Sequence, residues 1–259
     1  MKYTLPLTTL LTTAIVGTSA FADDTSSSNN DSKVFTPEQN SAIEAQVQNY
    51  LDNNPKAVVD ALVSYRHQEV KRMEEETQKA ISTHATNILE GSNLPVLGNP
   101  EGTTILVEFL DYQCGHCKQT IDTVDKLISK NKNLKVIVKE LPILGEESNY
   151  AAKVALAANE QGKFAEVHKA LLQNTGKLTK QTVENIAKSQ GVDWNMIEAS
   201  LASDTIEQQI DKVFTIAQQL NIMGTPAFIV SDSTGQRNHF FGGNASQEAL
   251  QKTINEISQ

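Results

Sequence analysis

Apolar and polar positions change their period several times along the chain, and each change predicts a new element. Segments 103–110 (TTILVEFL) and 134–140 (LKVIVKE) are apolar or β-branched at nearly every position, a pattern typical of strands covered on both faces. Between them, residues 118–130 carry apolar side chains at helical spacing. A strand, a helix and a strand within about 40 residues predict a right-handed parallel unit.

A long helical block follows this unit, from about 145 to 222, and three glycines at 162, 176 and 191 punctuate it. We interpret it as an all-helical insertion. Strand character then returns, and the pattern predicts a β-hairpin followed by a closing amphipathic helix. These last elements are a strand at 226–231, a turn at 232–235, a strand at 238–241 and a helix at 246–257.

A second helical region precedes the sheet, over residues 36–92. The sequence TPEQ at 36–39 has the capping pattern that begins a first helix. From Pro55 to Glu90 there is no glycine and no further proline, and apolar residues recur in steps of three and four, which predicts one continuous helix with a narrow apolar seam. The seam consists of Val59, Val63, Val70, Met73, Ile81 and Ile88.

Two interpretations of this seam are open. The helix either packs on its own sheet domain, or it pairs with the same helix of a second chain so that the two seams are buried together. We favour the second, because the helix is mostly charged between Arg66 and Glu76 and would expose its seam if it stood alone. A homodimer is therefore expected, although two or three chains would fit the pattern. The residues predicted to mediate dimerisation are Val59, Val63, Val70 and Met73.

Composition and the N-terminus indicate an exported protein. The 259 residues are 39% hydrophobic and 20% charged, as in soluble globular proteins. Residues 1–22 have the features of a cleaved signal peptide: Lys2, an apolar stretch and the small-x-small site Ala20-Phe21-Ala22. Residues 23–35 begin with a run of Ser, Asn and Asp and predict a flexible tether.

Charge and hydropathy then exclude two classes of partner. A formal net charge of −9 argues against nucleic-acid binding. No later stretch approaches the roughly 20 apolar residues of a membrane helix, so release into the periplasm is expected, and association with the outer membrane stays open.

The only two cysteines, Cys114 and Cys117, form one C-G-H-C group at the start of a predicted helix. The first helical turn directs unsatisfied N–H groups and the positive dipole end at Cys114, which favours its thiolate form. Cys117 lies one turn later on the same face, close enough to resolve a mixed disulfide on Cys114. His116 can stabilise the thiolate and so make the disulfide a stronger oxidant.

Three alternatives remain beside this redox interpretation. The pair could be a structural disulfide, it could be half of a metal site, and His116 could be an ordinary exposed polar residue. The other four histidines are scattered without ligand spacing and there is no second C-x-x-C. We therefore expect no metal and no cofactor.

The order of these features resembles the DsbA-like thiol-disulfide oxidoreductases: a strand, C-x-x-C at a helix start, a strand, a helical insertion, and Thr225-Pro226 before a hairpin and a last helix. The resemblance covers 94–259 and implies an α/β thioredoxin fold over 93–259. It also implies that Pro226 is cis and lies against the cysteines, and that the Thr225 backbone binds an extended client. The alternative is a trans proline that merely starts a strand.

Glu108, six residues before Cys114, occupies the position of a buried acid that moves protons for the second cysteine in this family. The alternative is a glutamate facing solvent at a sheet edge. The Gly-His dipeptide and Thr225 also resemble disulfide isomerases, as does the N-terminal region, which is similar to their dimerisation arms.

The sequence thus predicts an exported enzyme that forms or isomerises disulfides in envelope proteins. Its expected partners are cysteine-containing client proteins, a membrane redox partner and a second copy of the chain. Two other functions stay open, a dimeric envelope chaperone or surface protein with little redox role, and a dedicated disulfide reductase.

Overall fold

The computed structural model describes residues 35–91 and 93–259. The predicted signal peptide and, apart from Phe35, the predicted tether lie outside the described residues. The chain divides into two units, Met1–Val59 and Asp60–Gln259. The described part of the first unit is helical, and the second contains a sheet with helices on both of its faces.

A five-stranded sheet with the order β1-β3-β2-β4-β5 organises the second unit. Its strands are β1 (Val96–Gly98), β2 (Thr104–Leu110), β3 (Leu134–Glu140), β4 (Ala227–Asp232) and β5 (Asn238–Gly242). β2 and β3 are parallel, with Thr104 opposite Leu134, whereas the other pairs are antiparallel. The predicted parallel unit and the C-terminal hairpin are both confirmed. All seven residues of β2 are buried, because β2 is the central strand and is covered on both faces.

Ten helices lie in the described part of the chain. They are α1 (Pro37–Asn53), α2 (Pro55–Thr83), α3 (Ala85–Leu89), α4 (Gly115–Lys130), α5 (Glu146–Asn159), α6 (Phe164–Gln173), α7 (Lys180–Ser189), α8 (Trp194–Leu201), α9 (Asp204–Gln219) and α10 (Gln247–Ile257). The helices α5 to α9 connect β3 to β4 and form the predicted insertion, with a shared core that includes Val154, Leu171 and Ile197. The result is the thioredoxin-like α/β fold with a helical insertion that the sequence predicts.

The prediction of one continuous helix from Pro55 to Glu90 is wrong. α2 ends at Thr83, His84 leaves helical geometry (φ −105°, ψ 17°), and the short α3 follows. The break turns the chain so that Ala85, Ile88 and Leu89 are buried against one face of the sheet. The contact is close, since a Cβ atom added to Gly235 in the β4–β5 turn would lie 2.2 Å from the Ala85 Cβ.

The apolar seam of the N-terminal region is divided between two environments. At its C-terminal end Ile81 and Ile88 are buried in the same core as the sheet, and the Thr77 hydroxyl donates a hydrogen bond to the Leu220 carbonyl at 3.0 Å. This end of α2 therefore packs on its own domain, which was the interpretation we favoured less. The four residues predicted for dimerisation are exposed: Val59, Val63, Val70 and Met73.

Candidate active site

Cys114 lies at the junction between the central strand and α4. It is the N-cap residue of α4, with extended backbone geometry (φ −70°, ψ 115°). Its N–H donates to the Asp111 carbonyl at 3.0 Å, and the buried Asp111 carboxylate accepts hydrogen bonds from the Gln113 N–H at 2.7 Å and the Leu144 N–H at 2.9 Å. These bonds fix the loop between β2 and α4, so that the sulfur is held at the helix start as predicted.

The loop before β4 meets the cysteine pair. The Thr225–Pro226 peptide bond is cis, as the resemblance implies. The Cys114 thiol donates to the Thr225 carbonyl oxygen, with 3.2 Å between Sγ and O. Residues 111 positions apart in sequence are thus in direct contact, while the part that Thr225 and Pro226 play in client binding stays a prediction.

The two thiols differ in access to solvent. Both are free, but Cys114 retains 8% of its surface and Cys117 retains none. Burial raises the pKa of the Cys117 thiol well above its ordinary value. Cys114 is therefore the more accessible of the two sulfurs, and burial favours the protonated form of Cys117.

Glu108 is buried, with 2% of its surface exposed, because it lies on the central strand. This geometry excludes the alternative of a glutamate facing solvent at an edge. Burial raises the pKa of Glu108 to about 7, and the hydrogen bond from Thr120 opposes that rise only in part. The Thr120 hydroxyl lies 3.0 Å from Glu108 Oε1 and 2.8 Å from the Cys117 carbonyl oxygen, so one side chain bridges Glu108 and the Cys117 backbone.

A second cluster of buried polar side chains lies near the cysteines, and the sequence analysis did not predict it. The Tyr112 hydroxyl donates to Glu140 Oε1 at 2.7 Å and lies 3.0 Å from His168 Nδ1. Burial raises the pKa of Tyr112 and of Glu140 well above their ordinary values, and it lowers the pKa of His168 to about 4. Burial thus favours the neutral form of each of the three groups, an arrangement that avoids unpaired charge in the core.

His116 and the other predicted residues occupy more exposed positions. His116 lies in the first turn of α4 and is exposed, and its side chain makes no hydrogen bond within the described residues. Its tuning role stays a prediction. In the described ranges no group of three or more His, Cys, Asp or Glu side chains could hold a metal ion.

Two of the predicted dimerisation residues lie beside the predicted client residues. Val70 and Met73 line a cavity of about 310 Å³ together with Thr225, Pro226 and Phe240. The structure thus places an apolar wall from α2 next to the cis-proline loop.

None of the helices in the described residues is long and apolar enough to span a membrane.

Comparisons with known proteins extend this picture. The antiporter "Na(+)/H(+) antiporter NhaA 1" of Salinispora arenicola is 29% identical over 161 residues, which are 61% of this chain and 24% of the antiporter. A putative protein-disulfide oxidoreductase of Rickettsia typhi is 26% identical over 170 residues, 61% of this chain and 62% of that protein. The chain thus matches about a quarter of the first relative and less than two thirds of the second.

The solved structure of the thiol-disulfide exchange protein alpha-DsbA2 from Wolbachia pipientis is 31% identical and has a TM-score of 0.65. The match covers 71% of this chain and 97% of that protein. The model of the DSBA-like thioredoxin domain family matches residues 105–255, from the central strand into the last helix, with the two cysteines and the cis-proline inside the match. By its fold, its site and this match, the chain belongs to the family of DSBA-like thioredoxin domains.

Proposed function

We propose that the protein is an exported thiol-disulfide oxidoreductase that forms or isomerises disulfides in envelope proteins through Cys114 and Cys117. The observation that supports this most strongly is the contact between the Cys114 sulfur and the Thr225 carbonyl beside cis-Pro226. An extended client held on the backbone of this loop would present its own sulfur to Cys114.

The exchange balances as two displacements. In the oxidised enzyme a client thiolate attacks Cys114 Sγ, the Cys114–Cys117 bond breaks, and Cys117 leaves as a thiolate that takes up a proton. A second client thiolate then attacks the client sulfur of the mixed disulfide and displaces Cys114. The client has lost two electrons, the enzyme holds two thiols, and the membrane redox partner returns it to the disulfide.

Glu108 is the group we propose to supply and accept the proton of Cys117. Its pKa of about 7 lets it exchange a proton near neutral pH, and Thr120 ties it to the Cys117 turn. When the reaction runs in reverse, or when a wrong mixed disulfide must be released, Cys117 has to lose its proton to become the attacking thiolate. A buried carboxylate is the base that the site offers for that step.

Isomerisation as well as oxidation is supported by the surroundings of the cis-proline. The cavity lined by Val70, Met73 and Phe240 would take apolar side chains of a misfolded client next to Thr225. A dedicated reductase and a chaperone without redox activity are the two competing functions, and the redox measurement below separates them from our proposal.

The redox potential of the cysteine pair is the first measurement of this proposal. Equilibration of residues 23–259 with glutathione buffers should give a value between roughly −120 and −180 mV, the range of oxidases and isomerases. His116→Ala should move the value to a more negative potential, because the histidine stabilises the reduced thiolate form. The matched control is His67→Ala, which removes an exposed histidine from α2.

A value near −270 mV or lower would overturn the proposal and indicate a reductase or a structural disulfide. An unchanged potential in the His116 variant would remove the tuning role of this residue. A redox pair that no client protein can reduce or oxidise would point to the chaperone function.

Dimerisation through α2 is the second part of the proposal, and it would use the part of the seam that lies outside the cavity beside Thr225, at Val63. Val63→Asp places a charge on the exposed seam and should shift the protein from dimer to monomer in sedimentation experiments, because the charge would be buried at the seam. Met196→Asp, at an exposed apolar residue of α8, is the matched control and should leave the dimer intact. A wild-type protein that sediments as a monomer would refute this part while leaving the redox chemistry untouched.

A further inference from the structure

A cavity of about 650 Å³ lies on the sheet face that α3 and α9 cover, and neither cysteine is among the residues that line it. Its floor is the C-terminal end of β3, and its walls are α3, residues 93–95 and one face of α9. Cavities of this volume are in the range that holds small-molecule ligands. The apolar side chains at its surface include Leu94, Pro95, Leu156, Val213 and Ile216.

Lys139 is the unusual residue of this cavity. Its neighbours on the same face of β3, Ile137 and Leu141, are core residues, so the strand alternation places a lysine where the pattern calls for an apolar side chain. The residue is 4% exposed and lines the cavity. Across residues 35–91 and 93–259 its ammonium group has no hydrogen-bond or ion-pair partner.

An unpaired ammonium group at this depth is costly, because it loses its hydration without gaining a partner. The same burial lowers the pKa of Lys139 to about 8. The redox chemistry proposed above makes no use of this lysine. A ligand with an anionic group placed at Lys139 would supply the missing partner.

The rest of the lining indicates the kind of anion. The charged residues that line the cavity are Lys139, Lys212, Glu90 and Glu140. The Glu140 carboxyl group accepts a hydrogen bond from the Tyr112 hydroxyl, whereas the Lys139 ammonium group has no such partner in the described part of the chain. The α9 residues that line it run from Thr205 to Gln219, which is about 21 Å along a helix at 1.5 Å per residue. The space is therefore elongated, and both apolar and polar side chains line it.

We propose that this cavity binds an amphipathic organic carboxylate, with the carboxylate at the Lys139 ammonium group and the apolar body against the apolar lining residues Leu94, Val213 and Ile216. This site is separate from the proposed exchange chemistry, and a protein without redox activity would retain it. Lys212 adds a second positive charge at the rim, while the amides of Gln208 and Gln209 face the polar side of the ligand.

Calorimetric titration with octanoate tests the proposal, using residues 23–259 in the reduced state. Acetate carries the charge without the apolar body, and 1-octanol carries the body without the charge. Octanoate should bind at one site, and both analogues should bind at least tenfold more weakly. Lys139→Met should weaken octanoate binding at least tenfold, whereas Lys135→Met, on the same strand outside the cavity, should not change it.

A second variant tests the same site independently, in case the Lys139→Met protein does not fold. Gln208→Glu changes an exposed side chain at the rim and should also weaken octanoate binding, because it introduces a negative charge beside the anion. Thermal unfolding of each variant establishes that it is folded. The proposal is overturned if octanoate does not bind in a saturable manner, if 1-octanol or acetate binds equally well, or if the folded Lys139→Met protein binds octanoate with unchanged affinity.

Discussion

Replacement of Cys114 by serine should reduce client oxidation to the rate of uncatalysed exchange. Cys114 is the one sulfur of the pair with exposed surface, and a hydroxyl group cannot form the mixed disulfide. The measurement is the recovery of activity by reduced, unfolded ribonuclease A in a glutathione buffer. Because Cys114 is at a helix N-cap, where serine is a favoured residue, the variant should fold normally.

Cys117→Ser is the informative partner of this variant. It leaves the attacking sulfur in place and removes the resolving one, so mixed disulfides between Cys114 and client proteins should accumulate on non-reducing gels. The double variant should give none. Retention of wild-type oxidation by Cys114→Ser would refute the assignment of Cys114 as the client-contacting sulfur.

The second large effect concerns the stability of the protein as a function of pH. In the folded protein the pKa of Glu108 is about 7, whereas its reference value is 4.5. Below pH 4.5 the carboxyl group is protonated in both states. Between pH 4.5 and 7 it ionises only in the unfolded chain, so the free energy of unfolding falls as the pH rises, and the loss is complete above pH 7. This difference between the two pKa values corresponds to about 3 kcal/mol in the free energy of unfolding.

Glu108→Gln removes this ionisation and keeps the shape of the side chain. The variant should therefore be more stable than wild type by about 3 kcal/mol at pH 8 and equally stable at pH 4, as measured by urea unfolding at both values. Glu101→Gln, at an exposed residue before β2, is the control and should show no difference at either pH. A gain that is equal at pH 4 and pH 8 would contradict an ionisation effect.

The Glu108→Gln variant should also be a poorer enzyme. Without the carboxylate, Cys117 has no buried base, and the release of a client from the mixed disulfide should slow by about 100-fold. The rate is measured by rapid mixing of a preformed mixed disulfide and should lose its dependence on pH around 7. Gained stability together with lost turnover would identify Glu108 as a group retained for catalysis.

Much of the sheet could be predicted because its residues are buried in a regular way. The pattern over 134–140 matched β3 at both ends, since every position but one is covered. The start of α4 agrees with the prediction that the C-G-H-C group begins a helix. These elements are determined by local periodicity, which a sequence displays directly.

The features that the sequence analysis did not predict depend on contacts between residues that are far apart in the sequence. His84 interrupts the N-terminal helix because Ala85 and Ile88 pack on the sheet, and nothing in the local pattern shows that contact. Tyr112 and His168 are 56 positions apart, and their contact depends on how the insertion folds back on α4 and β3. The position of Lys139 within an apolar strand pattern does not reveal the cavity, because that cavity is formed with α3, α5 and α9, which are distant in sequence.

The unequal burial of the two sulfurs also bears on oxidative damage. Hydrogen peroxide that oxidises the Cys114 thiol, the more accessible of the two, would form a sulfenic acid and water, and further oxidation to the sulfinic acid would be irreversible. The Cys117 thiol, one helical turn away and shielded from the reagent, can condense with the sulfenic acid to form the disulfide and water. Peroxide would then regenerate the oxidised form of the site instead of destroying it.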